Sequence, residues 1–285
     1  MKIVSDSSIM LTVAEGAAKD IDVLPLAVTI GDETWLEYED ISSEEFLRLV
    51  RAGGIPQSSS PPPALTLKAY ETEEEVLHIA MADGLSGAYH MACSLVPQAA
   101  HPENVHVINA TTLCVPQRAL VYRAKELADN NLGARAVIEK LKPMIESTYS
   151  YLIPNDFGFL RRGGRLTPVA AAFAGLLKAV PVMVQTADRM RLERLSLSRS
   201  LSKALKSVIS DCRKRGIKES YFISVSHAGN LEGARAALQQ MRESFPNCRH
   251  GLFNLGPAFI TQGGPGCIAI QLVDLATCPD LVMEG

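Results

Sequence analysis

The sequence predicts an α/β protein whose N-terminal half contains a parallel sheet flanked by helices. Three observations lead to this fold class. Short apolar runs such as Val76–Ala82 alternate with longer segments of helical spacing. Turns rich in Gly, Ser, Thr and Asn separate the two kinds of segment. The chain has 285 residues, 47% of them hydrophobic, so it can bury one large core or two ordinary ones.

Residues 1–155 contain a regular succession of predicted strands and helices. Ser42 and Glu45 have the spacing of a capping box, which starts a helix that Gly53-Gly54 ends. The prolines that follow Ser58–Ser60 stand at first-turn positions of the next helix, so these serines are predicted to form a polar turn. In order, the predicted elements are a strand over Lys2–Ser5, a helix to about Lys19, an extended segment over Val23–Ile30, helices from Ser42 and over Ala64–Glu71, a strand from Val76, a helix from Gly87, a strand over Val105–Asn109, and helices over Val115–Asp129 and Ala134–Glu146.

The pattern changes after Tyr151–Pro154, and a domain boundary is predicted near residue 155. Residues 1–155 would form an N-terminal α/β domain and residues 156–285 a C-terminal α/β domain. Asp188-Arg189 has the composition of a turn between two strands, so the C-terminal sheet is predicted to be mixed. The predicted elements are strands over Val180–Val184, Arg191–Ser196, Tyr221–Val225, Gly251–Leu255 and Ile268–Val273, helices over Ser198–Arg215 and Leu231–Phe245, and a glycine-rich loop over Gly256–Gly266.

Charge and composition exclude several classes of function. The net charge is −3, from 28 Lys and Arg against 31 Asp and Glu, which argues against general affinity for nucleic acid. No apolar run has the length of a membrane span, and the first residues lack a signal-peptide pattern. We therefore expect a cytoplasmic protein without stable membrane insertion. The six cysteines are scattered and the histidines occur singly, so no disulfide framework, metal site or cofactor is expected.

The turn Gly84–Gly87 follows an apolar strand and places Ser86 where a helix begins. A helix start carries unpaired N–H groups and a partial positive charge, so it suits an anion. Ser86 can cap its own helix or give its hydroxyl group to a ligand, and both readings stay open. Two other predicted strands also end in hydroxyl-rich turns, Ser5–Ser8 and Asn109–Thr112. Because the carboxyl ends of parallel strands share one edge of a sheet, a binding rim is predicted there.

Three further features leave alternatives open. Ser86 could be a hydrolase nucleophile, but Gly84 and Gly87 are in the wrong register for G-x-S-x-G, and no later histidine obviously faces the turn. The basic turn Arg161–Arg165 is either solvated or a contact for a phosphate or a protein carboxylate, and neither a Walker loop nor G-x-G-x-x-G accompanies it. The small and apolar residues of Ala170–Leu177 either pack tightly or leave room for an apolar ligand.

An ordered set of short motifs runs through the chain, each weak alone and specific as a set. The motifs are Ile3–Ser8, Leu24–Leu26, Ser58-Ser59 with Pro61 and Pro63, Leu85–Tyr89, Leu160–Leu166, Gly175–Leu177 with Pro181, His227-Ala228, and Gly256-Pro257 with Gly264–Gly266. In this order they resemble the DegV family nearly end to end. The resemblance implies a two-domain protein that binds one long-chain fatty acid in a tunnel between its domains.

The resemblance also implies a role and a partner. Several members of the family are non-catalytic acyl-carrying subunits of a fatty acid kinase. A separate ATP-binding protein related to dihydroxyacetone kinase phosphorylates the carboxyl group of the fatty acid that they hold. The alternatives are a lipid sequestration or transport protein without a kinase partner, and a hydrolase that depends on Ser86.

Particular residues take roles from the same resemblance. The fatty acid carboxylate would be bound by Ser58, Ser86, the N–H groups of Gly87 and Ala88, and Gln262. Gln262 stands where many relatives have a histidine, and its amide can donate a hydrogen bond but cannot carry a positive charge. Phe173, Leu176 and Leu177 would line the acyl tunnel, and Arg162 and Arg165 would lie near the face that binds the kinase.

Overall fold

The computed structural model describes residues 1–172 and 179–283. These residues form a four-stranded parallel sheet, a six-stranded mixed sheet and a three-stranded antiparallel sheet, with helices against them. The predicted fold class, a parallel N-terminal sheet followed by a mixed C-terminal sheet, is confirmed.

The strands and helices have the following bounds. The strands are β1 Lys2–Asp6, β2 Ile21–Leu24, β3 Ala27–Ile30, β4 Glu33–Leu36, β5 Pro56–Ser59, β6 Val76–Ala80, β7 Val105–Asn109, β8 Tyr149–Ile153, β9 Val180–Gln185, β10 Leu192–Ser198, β11 Tyr221–His227, β12 Arg249–Asn254 and β13 Ile268–Asp274. The helices are α1 Val13–Ala17, α2 Ser43–Arg51, α3 Pro63–Tyr70, α4 Ala88–Leu95, α5 Cys114–Asp129, α6 Ala134–Glu146, α7 Phe157–Gly163, α8 Pro168–Ala172, α9 Leu201–Lys214, α10 Leu231–Ser244 and α11 Pro257–Gly263.

The parallel sheet has the strand order β2-β1-β6-β7. Every residue of β6 is buried, as expected for a continuous apolar run in a sheet covered on both faces. Because β1, β6 and β7 are neighbours with the same direction, the turns that begin after Asp6, Ala80 and Asn109 lie at one edge. This edge is the predicted binding rim.

The mixed sheet has the order β10-β9-β8-β13-β11-β12, in which only β11 and β12 are parallel. The predicted turn at Asp188-Arg189 joins β9 to β10, which pair antiparallel, so that prediction is confirmed. Strand β8 precedes the predicted boundary near residue 155, yet it pairs with β13 and β9. The change from one sheet to the other therefore falls between α6 and β8.

The small sheet, with order β4-β3-β5, corrects the predicted turn at Ser58–Ser60. Ser58 and Ser59 lie in β5 and pair with Val28 and Ala27 of β3. Three consecutive serines have no apolar alternation, so only the pairing with β3 identifies this segment as a strand.

Two predicted helical boundaries also change. The glycine-rich segment Gly256–Gly266, predicted as a loop, contains helix α11, which starts with Pro257 at its first position and buries Ala258 and Ile260. The helix predicted up to Lys19 is a 3-10 turn over Ser7–Ile9 followed by α1, because Thr12 caps a new helix through its side chain.

A continuous buried apolar cluster joins the two large sheets. It contains Ile3 and Leu77 from the parallel sheet and Ala269 and Val273 from β13 of the mixed sheet. Gln271 of β13 crosses this junction and donates from Nε2 to the carbonyl oxygen of Leu113 at 3.1 Å. The two sheets thus share one core, and the junction is where a ligand between domains would have to lie.

Candidate functional site

Strand β5 and helix α11 bring together Ser58, Thr261 and Gln262. Thr261 Oγ1 lies 3.2 Å from Ser58 Oγ, and Gln262 Nε2 lies 3.4 Å from Ser58 Oγ and 3.1 Å from Thr261 Oγ1. The Thr261 hydroxyl also lies 2.6 Å from the carbonyl oxygen of Ala258, which is its strongest acceptor. A hydroxyl group has a single proton, so with Thr261 directed at Ala258, the Ser58 hydroxyl can itself act as a donor. Sequence reasoning missed Thr261, whose only signal was its place beside Gln262.

The Gln262 amide has one satisfied end and one unsatisfied end. Its Oε1 is buried without a hydrogen-bond partner among the described residues and lies against Gly163, where an added Cβ would collide with it. Gln262 Nε2, which the family resemblance implies for the ligand, instead faces the hydroxyl groups of Ser58 and Thr261. Because hydroxyl groups both donate and accept, the amide can turn over and present its N–H groups on the Gly163 side.

The Ser86 turn lies next to the end of β5. Gly87, the N-cap of α4, is exposed, and a Cβ placed on it would be 3.7 Å from Ser60 Oγ. Ser86 is half-buried, and its Oγ accepts a hydrogen bond from the N–H of Ala88 at 3.2 Å. The local capping role is therefore present, and the Ser86 proton is still available to an acceptor.

The basic segment Arg161–Arg165, which spans the end of α7, contains a half-buried arginine and an exposed one. Arg165 is half-buried, donates from Nε to the carbonyl oxygen of Leu85 at 3.0 Å, and also bonds the carbonyl oxygen of Gly163. Burial lowers the pKa of its guanidinium. Arg162 is exposed and lies over the ring of Phe159, 4.5 Å from the centroid. Arg165 thus holds the basic segment against the Ser86 turn, whereas Arg162 is open to solvent.

An apolar cavity of about 100 Å³ lies at the junction of the two large sheets. Leu85, Arg165 and Gln262 line it, whereas Ser58, Ser86, Gly87 and Ala88 do not. The other lining residues are Met81, Leu113, Cys114, Ser150, Tyr151, Leu152, Leu160, Gln185, Leu192, Leu255, Phe259, Gly263, Ala269 and Gln271. Ligand pockets usually measure about 300–1,000 Å³, so a long chain enters this cavity only if lining side chains move apart.

The predicted tunnel residues Phe173, Leu176 and Leu177 lie outside the described residues. Before them along the chain, Leu160, Leu166 and Ala170 form a small buried cluster with Met183 of β9, and Leu160 of this cluster also lines the cavity.

Two buried carboxyl groups near the rim were not singled out from the sequence. Asp6, at the end of β1, accepts from the N–H of Met81 at 2.8 Å and from Ser8, and burial raises its pKa. Glu37 accepts from the Ser7 hydroxyl at 2.5 Å and from the N–H of Ala258 at 2.9 Å. Acidic residues in short polar turns are usually solvated, so the sequence contained no signal that they are buried.

Among residues 1–172 and 179–283, no group of three or more His, Cys, Asp or Glu side chains is arranged to hold a metal ion. Within the same ranges, no helix combines the length and the apolar composition that a membrane crossing requires.

These features define a class: an α/β protein in which a parallel and a mixed sheet share an apolar core with a cavity, and hydroxyl groups cluster beside it. A profile of the DegV family, described as uncharacterised proteins, matches residues 1–275, and the chain belongs to this family.

Individual relatives agree with this assignment. A DegV domain-containing protein of Listeria monocytogenes is 26% identical over 275 residues, which cover 94% of this chain and 96% of the relative. The DegV domain-containing protein YejH of Lactococcus lactis is 29% identical, covering 95% of this chain and 98% of the relative. A solved DegV family protein from Thermus thermophilus, described as fatty acid binding, superposes with a TM-score of 0.85 at 24% identity, covering 96% of this chain and all of that one.

Proposed function

We propose that this protein binds one long-chain fatty acid, with its hydrocarbon tail in the cavity between the sheets and its carboxyl group at the Ser58–Ser86 edge. The observation that carries the proposal is the apolar cavity at the junction, with Gln262 in its wall and the hydroxyl groups of Ser58 and Thr261 in contact with Gln262. Other DegV proteins support it: a solved Bacillus subtilis protein is described as fatty acid binding, and one from Eubacterium eligens as loaded with heptadecanoic acid.

The tail supplies most of the affinity in this proposal. At about 0.8 kcal/mol per buried methylene group, a tail of about sixteen carbons contributes roughly 10 kcal/mol before association costs are subtracted. A hydroxyl–carboxylate hydrogen bond contributes about 1.5–3 kcal/mol at most, because the carboxylate loses its hydration. Ser58, Ser86 and the N–H groups of Gly87 and Ala88 therefore fix the register of the ligand more than its affinity.

The protein would present the carboxyl group to a separate ATP-dependent kinase related to dihydroxyacetone kinase. Gly87 is exposed beside the head-group residues, which leaves a path for a phosphoryl donor. The exposed Arg162 could contact that partner, whereas Arg165 is engaged with Leu85 and Gly163 and would act by shaping the rim. The protein itself is proposed to be non-catalytic.

A second candidate is sequestration or transport of the lipid without a kinase. The observation that favours it is Gln262, a neutral amide that cannot stabilise the additional negative charge of an acyl phosphate as a cation would. Hydrolysis by Ser86 has less support, because the Ser86 hydroxyl accepts from Ala88 and the Nε2 of His90 contacts Asp83 at 3.1 Å instead.

Native mass spectrometry of the protein as purified, followed by calorimetric titration of the delipidated protein with oleate, tests binding. We expect a co-purified acid of about fourteen to eighteen carbons, or saturable one-to-one binding of oleate. The absence of both results would contradict the proposal. Incubation with ATP and the dihydroxyacetone-kinase-like protein of the same genome separates the two candidates, with acyl hydroxamate as the readout for acyl phosphate. Ester hydrolysis that disappears in Ser86→Ala would instead indicate an enzyme.

A further inference from the structure

Glu37 is a buried carboxyl group that connects three parts of the fold. It directly follows β4, is 1% exposed, and its backbone N–H donates to the carbonyl oxygen of Leu26 at 2.9 Å. One carboxyl oxygen accepts from the Ser7 hydroxyl at 2.5 Å, and the other accepts from the N–H of Ala258 at 2.9 Å. Ser7 follows β1, and Ala258 lies in the first turn of α11, so one side chain joins both large units of the fold.

Both partners of Glu37 are donors, which favours the ionised form. The Ser7 oxygen already accepts from the N–H of Leu26 at 2.8 Å, so its own proton is directed at Glu37. The N–H of Ala258 can only donate. A protonated carboxyl group would need an acceptor for its proton, and Ser7 could accept it only by withdrawing its own.

Ala258 links Glu37 to the residues proposed to bind the ligand carboxyl group, Ser58, Thr261 and Gln262. The carbonyl oxygen of Ala258 accepts from the Thr261 hydroxyl at 2.6 Å, and Thr261 contacts Ser58 and Gln262. Helix α11 has only seven residues, so its orientation depends on such contacts more than on its own hydrogen bonds. Gly256, the N-cap of α11, packs closely against the same region, because a Cβ placed on it would collide with the Tyr38 hydroxyl and lie 3.1 Å from Glu37 Oε2.

We infer that Glu37 is a positioning residue: in its ionised form it holds α11 so that Thr261, Gln262 and Ser58 meet the carboxyl group of the ligand. This rests on the proposed fatty acid site. It adds a dependence of ligand affinity on the charge of a residue that does not line the cavity.

The surroundings of Glu37 keep its charge sensitive to pH. Burial raises the pKa of Glu37 to about 7, and the negative charge of Asp6 acts in the same direction, while the bonds from Ser7 and Ala258 oppose the rise. Tyr38 and Cys114 also interact with Glu37, and both have pKa values raised by burial, so they stay neutral. Arg118 is the cation near Tyr38 and Cys114. Burial also raises the pKa of Asp6, and the pKa of Glu37 lies close to neutral pH.

Calorimetric titration with oleate between pH 6 and pH 8.5 tests the inference on four proteins: the wild type, Glu37→Gln, Glu37→Asp and the control Glu39→Gln. Glu39 is exposed and two residues away. At pH 8, Glu37→Gln should bind oleate about tenfold more weakly than the wild type, the low end of the loss expected for one charge-assisted hydrogen bond. The ratio of the two affinities should approach one at pH 6, because the wild type is then protonated as well.

Glu37→Asp keeps the charge and should recover part of the affinity at pH 8, and Glu39→Gln should match the wild type throughout. Comparing variants with the wild type at each pH cancels the titration of oleate itself. An affinity ratio for Glu37→Gln that stays constant with pH, or that equals one, overturns the inference while leaving the proposed function intact. Failure of the wild type to bind oleate at any pH overturns both.

Discussion

Ala269 offers the sharpest test of the cavity. It lies in β13, is 7% exposed, belongs to the core shared by the two large sheets, and lines the cavity. Its neighbours across the sheet are Leu152 and Ser226. Replacing Ala269 with Phe places an aromatic ring where the proposed hydrocarbon tail would lie, and it leaves Ser58 and Ser86, which do not line the cavity, unchanged.

The expected loss follows from the space that the ring takes. At roughly 30 Å³ for each group of the size of a water molecule, a cavity of about 100 Å³ accommodates three to four methylene groups. At about 0.8 kcal/mol for each methylene group, their exclusion costs about 3 kcal/mol, or roughly a hundredfold in the dissociation constant. The folded protein itself should lose little stability, because the ring fills existing space.

The assay is calorimetric titration with fatty acids of twelve, sixteen and eighteen carbons. Ala269→Phe should weaken binding of the longer acids more than that of the twelve-carbon acid, because a short tail needs less of the cavity. The matched control is Ala136→Phe, on the exposed face of α6, which should bind as the wild type does. Equal affinities for Ala269→Phe and the wild type, with the variant folded, would refute the placement of the tail in this cavity.

Three further predictions concern other parts of the structure. Ser86→Ala should weaken oleate binding without abolishing it, by no more than about a hundredfold, since one hydroxyl–carboxylate bond contributes about 1.5–3 kcal/mol at most. An unchanged dissociation constant in the same titration would remove Ser86 from the site. The pKa of Glu37 is about 7 in the folded protein and 4.5 in the unfolded chain, so only the folded state holds the proton between these values. The free energy of unfolding should therefore fall by about 3 kcal/mol as pH rises through this range. In urea unfolding, the free energy of unfolding of Glu37→Gln should fall less with pH than that of the wild type, so the variant gains relative stability at pH 8 while it loses affinity for oleate. Parallel curves of unfolding free energy against pH for the two proteins would contradict this. Gly264→Ala should destabilise the protein by about 1–3 kcal/mol, because the backbone there, at φ +75° and ψ 169°, suits only glycine and a Cβ would be 2.6 Å from the ring of Phe159. The comparison is Gly164→Ala, in the left-handed region at φ +72° and ψ 10° with open space around it, which should cost less because it has neither the collision nor the glycine-only conformation.

The sequence by itself determined the fold class and the rim. Buried strands such as β6 are recognisable because their buried residues form a short run that is apolar apart from His78, and helices such as α6 because their buried residues recur at helical spacing. The order of strands and helices then predicts a parallel sheet, whose carboxyl ends must share one edge. The position of the hydroxyl-rich turns after β1, β6 and β7 at one common edge followed from this geometry alone.

Only the tertiary structure decided what lies opposite that rim. Ser58 became a strand residue by pairing with β3, and α11 formed in a glycine-rich segment because its buried face packs against other elements. Contacts between residues about two hundred positions apart, such as Ser58 with Gln262 and Glu37 with Ala258, leave no periodic signal in the sequence. Local patterns report which residues share a face, whereas partners distant along the chain are chosen by packing, and the proposed head-group site is made of such partners.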